Sequence, residues 1–268
     1  MKKTFSFLTL ALALLLSVQG LAQEKKFFTP ADASYNNRSL YAQRPNQLKW
    51  VGDQDILMKV DGKNIVTMTP GKKGENVFLT LDQLNEYAVK SGMDSLRRIP
   101  QLTWLNDRQA YFYALAKDGI ALNRFDLKTK KMEQLTTVPQ GAENQNICEK
   151  TMRIAYTVDN NLYVADGAKQ IQITNNPKGV VAGQSVHRNE FAIDGGIFWS
   201  PDGSQLAYYS MDESMVTDYP LVDITERVAT SKPIKYPMAG MTSHQVTLHV
   251  YTMATGKDIV VKTGEPVE

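Results

Sequence analysis

Apolar residues along this chain fall in short runs of five to eight, broken by Gly, Pro, Asn, Asp and Lys, and almost nowhere at helical spacing. Such a pattern predicts strands joined by turns. The clearest case surrounds Ser200-Pro201-Asp202-Gly203. Pro presets φ in a turn, and Asp-Gly tolerates the positive φ that closes it. The flanking runs, one ending at Trp199 and one over 205–211, therefore read as a β-hairpin. Further strands are predicted over 110–115, 121–127, 132–137, 152–157, 161–166, 170–174 and 259–263. Near 246–251, Val246, Leu248 and Val250 alternate with Thr247, His249 and Tyr251, a period of two. The best helix candidate is short, residues 81–90.

The pattern also repeats. Leu48-Lys49-Trp50, Leu102-Thr103-Trp104 and Ile197-Phe198-Trp199 each open a unit, with the tryptophans 54 and 95 residues apart. A degenerate unit at 146–150 lies in the longer gap, with Cys148 near the tryptophan position. Periods of about 40–50 residues fit the four-stranded blades of a β-propeller. The chain is therefore expected to be all-β, with about four propeller units, a number that could close by itself, since complete propellers have about 4–8 blades.

Composition refines this. Lys2 and Lys3 precede a largely apolar run of 12 residues, 5–16, and Gly20-Leu21-Ala22 carries small residues where a signal peptidase cuts. Residues 1–22 are read as a secretory signal peptide, cleaved after Ala22, and the mature chain as secreted or periplasmic. Residue 23 is Gln rather than Cys, which argues against a lipoprotein. Residues 23–46 are polar and irregular, an extended lead-in, and 47–268 form the partial propeller. The whole chain has 30 basic and 28 acidic residues. Removal of Lys2 and Lys3 leaves 28 against 28, which argues against nucleic acid or an anionic membrane as main partner.

Most motifs that carry chemistry are missing. The string Gly183-Gln184-Ser185-Val186-His187 ends in His where a nucleophile elbow requires Gly, so Ser185 is not expected to act as a nucleophile. His187, His244 and His249 show no zinc-ligand spacing and are read as surface or turn residues. Gly71-Lys72-Lys73-Gly74 lacks the Gly-Lys-Ser/Thr of a phosphate loop. Lys128 to Lys131 reads as a solvated hairpin turn. Cys148, the one cysteine, is read as a buried core thiol. No cofactor or metal is expected.

The run 187–221 is more specific. Arg188-Asn189-Glu190-Phe191, then Trp199-Ser200-Pro201-Asp202-Gly203, then Met211-Asp212-Glu213-Ser214-Met215-Val216 resembles the dipeptidyl peptidase IV group of the prolyl oligopeptidase clan in its bacterial secreted form. The likeness spans Leu48 onward, strongest over 174–251. It implies an eight-bladed propeller, of which these units would be an incomplete part, followed by an α/β-hydrolase domain expected to lie, with its Ser-Asp-His triad, outside this chain. It also implies a helical segment with paired glutamates that hold the free α-amino group of a peptide substrate. On this chain the pair falls on Asn189 and Glu190, so one carboxylate is replaced by an amide. Paired acceptors of this kind suit an ammonium leaving water. The family's propeller arginine has no counterpart before Ala142. Asp212 and Glu213 are read as packing at a blade edge rather than as tunnel lining. Members cut after the second residue, usually Pro or Ala, and are often homodimers whose interface elements lie mostly beyond residue 268. The rival expectation is a stand-alone periplasmic propeller that binds peptides without catalysis.

Overall fold

The computed structural model describes residues 27, 29–33, 42, 44–186 and 190–264. The expected signal peptide and most of the lead-in lie outside them, as do His187, Arg188 and Asn189. The chain divides into two units, Met1–Pro45 and Asn46–Glu268. In the first, Asp32 accepts hydrogen bonds from the Thr29 N–H and hydroxyl and closes a single turn.

Among the described residues the second unit is all-β, as expected, apart from one α-helix and one 3-10 turn. Its first sheet is a meander of β1 (Asn46–Trp50), β2 (Leu57–Asp61), β3 (Asn64–Met68) and β4 (Asn76–Thr80). Helix α1 (Leu81–Lys90) follows directly. Thr80 caps it: its hydroxyl accepts the Gln83 N–H, and the Gln83 side chain accepts the Thr80 N–H. That reciprocal box satisfies two donors that helix geometry leaves unpaired. Leu81, Leu84, Tyr87 and Ala88 form the buried face.

The second sheet contains β5 (Thr103–Trp104), β6 (Gln109–Ala116), β7 (Gly119–Asp126) and β8 (Lys131–Pro139). The third contains β9 (Glu143–Cys148), β10 (Arg153–Val158), β11 (Asn161–Asp166) and β12 (Lys169–Gln172). The fourth is built from β13 (Val180–Ala182), β14 (Ile197–Trp199), β15 (Gln205–Asp212), β18 (Gln245–Thr252) and β19 (Lys257–Val261). Between β15 and β18 the chain makes a separate ribbon of β16 (Asp218–Asp223) and β17 (Thr230–Lys235).

Successive sheets share cores because neighbouring residues of a strand face opposite ways. Phe112 and Phe125 pack with Met58, Ile65, Leu84 and Leu102 between the first two sheets. Tyr111 and Leu122 face the other way, onto Ile154 and Tyr156 of the third. Ala155, Leu162 and Val164 then meet Ile197, Leu206 and Tyr208 of the fourth. A fully buried leucine among these contributes about 1.5–3 kcal/mol of transfer free energy.

The repeat seen in the sequence marks one structural place. Trp50, Trp104, Cys148 and Trp199 each end the first strand of a sheet. Trp104 donates its indole N–H to Met58 Sδ, and Trp199 donates to the Asn146 carbonyl, each reaching the preceding sheet. Cys148 is buried, as expected, against the turn of the following hairpin. A Cβ on Gly203 would stand 2.8 Å from its sulfur, so glycine is required there for contact as well as for its φ of +70°. His244 is half-buried and precedes β18 rather than lying on a strand.

A candidate peptide-amine site

The segment that carries Glu190 leaves the fourth sheet through a gap in its first strand. β13 and β14 lie end to end along the same edge of β15. Val180, Val181 and Ala182 pair with Asp212, Met211 and Ser210, whereas Ile197, Phe198 and Trp199 pair with Tyr208, Ala207 and Leu206. Tyr209 sits at the break and holds both ends. Its carbonyl accepts the Gly183 N–H at 2.8 Å, and its N–H donates to the Gly196 carbonyl at 3.1 Å. The chain thus leaves the sheet after Gly183 and returns to it at Gly196, an excursion whose two ends are held together.

Three further contacts fix its base. The Ser185 hydroxyl donates to the Ile193 carbonyl at 2.8 Å across the neck. Gln184 donates to Asn160 Oδ1 in the β10–β11 turn at 3.2 Å. Asn146, on the first strand of the third sheet, donates to the Ile197 carbonyl at 3.2 Å and accepts the Trp199 indole through its own carbonyl. The excursion thus starts at the edge where the first strands of the third and fourth sheets lie side by side.

Within it, Glu190–Ala192 make a 3-10 turn, the described part of the helical segment implied by the resemblance. Phe191 and Ala192 have φ of 55° and 57°. Left-handed backbone costs a non-glycine residue about 1–2 kcal/mol, so the surrounding loop must hold it. Phe191 is 86% exposed, and Ile193 and Phe198 are about half exposed. Glu190 is therefore placed on this turn by its backbone, while Asn189 lies outside the described residues.

The other candidates resolve into structural roles. Ser185 closes the neck. Asp212 accepts the Ser214 N–H, and hydrogen bonds from the Ser214 side chain and then its N–H hold the Asp212 carboxyl below its usual range. The Glu213 N–H donates to the Gly179 carbonyl, anchoring the end of β15. Asp202 accepts from the Ser200 hydroxyl and from the N–H and hydroxyl of Ser204, which hold its carboxyl at about 2. Among the described residues no group of three His, Cys, Asp or Glu side chains is arranged to hold a metal ion.

His249 departs from the surface role expected of it. Asp258 Oδ2 lies 2.8 Å from His249 Nδ1 and accepts the Tyr208 hydroxyl at 3.0 Å; Thr247 Oγ1 stands 3.1 Å from His249 Nε2. Burial, then the Asp258 charge, push the Tyr208 hydroxyl well above its usual range. Alternation places Thr247 and His249 on one face of a strand, but their partners come from two other strands.

The family of the dipeptidyl peptidase IV (DPP IV) N-terminal region matches residues 120–268, more than half of the chain. A dipeptidyl-aminopeptidase B relative from Phaeosphaeria nodorum is 31% identical over 147 residues, covering 47% of this chain and 16% of that protein. The dipeptidyl aminopeptidase B of Saccharomyces cerevisiae is 33% identical over 114 residues, covering 38% of this chain and 14% of the yeast protein. Among solved structures, a dipeptidyl aminopeptidase IV-type protein from Bacteroides ovatus superposes with a TM-score of 0.71 at 38% identity, over 84% of this chain and 31% of that one. Porphyromonas gingivalis dipeptidyl peptidase 4 shares the fold, with a TM-score of 0.55 at 17% identity, over 84% of this chain and 33% of its own. The chain thus spans a third or less of each of these proteins. It belongs to the dipeptidyl peptidase IV N-terminal region family.

Proposed function

We propose that this chain is the substrate-filtering propeller segment of a secreted serine exopeptidase that removes X-Pro or X-Ala dipeptides from the free N-termini of peptides. The four sheets would be successive blades of a larger ring, and the Ser-Asp-His triad would lie on a hydrolase domain outside this sequence. Glu190 would pair with the peptide's α-ammonium, and Asn189 would add one neutral acceptor through its amide carbonyl. The observation that carries this reading is the position of the excursion. It interrupts a first strand at the edge where first strands gather, and in a radial arrangement of blades that edge lines the central channel.

The far face of the fourth sheet supports further blades. One register row across it is Phe198, Ala207, Val250 and Ile259. Phe198 is 44% and Ile259 47% exposed. The opposite face of the same strands is packed on the third sheet, so this row has the character of a core face awaiting a neighbour.

Calorimetric titration of the full chain with Gly-Pro-Ala and with its N-acetylated form tests the amine role. The free-amine peptide is expected to bind at least about tenfold tighter, since an unpaired buried ammonium costs several kcal/mol, and Glu190→Gln should erase the difference. Equal binding of both peptides by the wild-type chain would remove Glu190 from this role. The chain should release no dye from a Gly-Pro anilide; turnover at enzyme-like rates would place a triad within it. Export is tested by the mass of the cell-made protein, expected to begin at Gln23.

A further inference from the structure

The neck of the 183–196 excursion is closed by backbone contact as well as by hydrogen bonds. A Cβ on Gly196 would lie 2.3 Å from both the carbonyl carbon and the oxygen of Gln184 and 2.7 Å from its nitrogen. These are backbone atoms, so no rotamer change can make room. The two arms of the neck thus touch main chain to main chain. The Tyr209 peptide groups clamp them from one side, and the Ser185–Ile193 hydrogen bond ties them just beyond. Two successive left-handed residues, Phe191 and Ala192, persist on the tip side of this closure. Such a turn survives only when its surroundings over-determine it.

We infer that Gly196 and Ser185 are positioning residues for the amine-binding turn. By closing the neck they hold the backbone of the Glu190–Ala192 turn in place before a peptide arrives. The inference rests on the proposed amine role of Glu190, but its structural half stands apart from that role. A turn whose backbone is already held loses little freedom on binding, which is how rigid loops gain affinity. A hinged neck would have to be ordered by each incoming peptide.

Two measurements on the full chain separate the halves. In hydrogen exchange, the Gly183 and Tyr209 amides should be protected. Gly196→Ala should speed both by about tenfold or more while amides of β10 and β11 keep wild-type rates. In titration, Gly196→Ala should reduce the preference for Gly-Pro-Ala over its N-acetyl form by at least about fivefold and leave the acetylated peptide's affinity unchanged. Ser185→Ala should lower the preference by about threefold, and Ser185→Thr, which keeps the hydroxyl, should restore it. Should Gly196→Ala fail to fold, the Ser185 pair decides alone, since it removes or returns a single hydroxyl. Faster exchange with an unchanged preference would overturn the positioning role, as would wild-type exchange in both variants. If the wild-type chain shows no amine preference, the role of Glu190 falls, taking the positioning role with it, and the exchange data still decide whether the neck is closed.

Discussion

The third and fourth sheets have nearly the same strands and very different amounts of chain. The third runs from Glu143 to Gln172 as an uninterrupted meander. Its central hairpin turns on Asp159 and Asn160, with φ of 47° and 66°, the two-residue geometry that matches strand twist. The fourth begins at Val180 and ends at Val261. The surplus lies in two places: the excursion through the first strand, and the segment carrying the ribbon between β15 and β18. Both sheets nevertheless face one shared core, in which Leu162 and Leu206 are fully buried. The framework is held by alternate apolar residues, and inserted segments at its edges are where binding chemistry is free to develop.

The largest expected effect probes that common core. Leu162→Ala and Leu206→Ala should each cost about 2–5 kcal/mol in denaturant unfolding, with one cooperative transition in both. A variant in which the fourth sheet melts separately would break the equivalence. Removal of the ribbon should cost far less. Its strands pair with each other, and the Tyr236 N–H already meets the Thr217 carbonyl at 3.1 Å at its base. Replacing residues 218–235 with a two-glycine link should shift stability by less than about 1 kcal/mol. It should also raise solubility, because Val222, Ile224 and Val228 are 71–80% exposed.

A smaller effect distinguishes the hairpin turns of the two sheets. Hydrogen bonds from Ser200 and then Ser204 hold Asp202 at about 2, below the value of about 3.9 for an unfolded aspartate. A depressed carboxyl stabilises the fold above the unfolded value, and that support is lost as pH falls through the folded one. The melting-temperature gap between wild type and Asp202→Asn should therefore be full at pH above about 5 and close as pH falls from about 4 to about 2. The third sheet's turn uses Glu149 otherwise, accepting the Tyr111 hydroxyl at 2.8 Å. The smallest change is expected from Asn160→Gly. Glycine suits the positive φ, and only the exposed contact to Gln184 is lost, so stability should stay within about 0.5 kcal/mol. A larger loss would mean that the excursion leans on the third sheet more than its neck does.

Legibility in the sequence followed the reach of each interaction. The helix over 81–90 was visible because its cap, first-turn acid and apolar spacing are all local. Strands β6, β10, β11 and β15 were visible because alternation and turn residues are local too. The ribbon was hidden: Pro220 and Pro233 stand opposite each other in it, and proline argues against a strand. β13 was hidden by length, with only Val180, Val181 and Ala182 after a Gly. For the candidate site, the Trp199 hairpin marked where the excursion returns to the sheet. The split first strand, the clamp at Tyr209 and the network around His249 had no sequence signature.

By itself the sequence determined an all-β chain, the common place of Trp50, Trp104, Cys148 and Trp199, and the resemblance centred on Glu190. Each depends on residue type and on spacings read directly along the chain, within a hairpin or from one repeat to the next. Tertiary structure alone decided that Gly183 and Gly196 meet on one residue, that Asn146 reaches across from another sheet, and that three strands converge on Asp258. Those contacts join residues far apart along the chain, and only the packing of one sheet against the next determines which distant groups come within hydrogen-bonding distance.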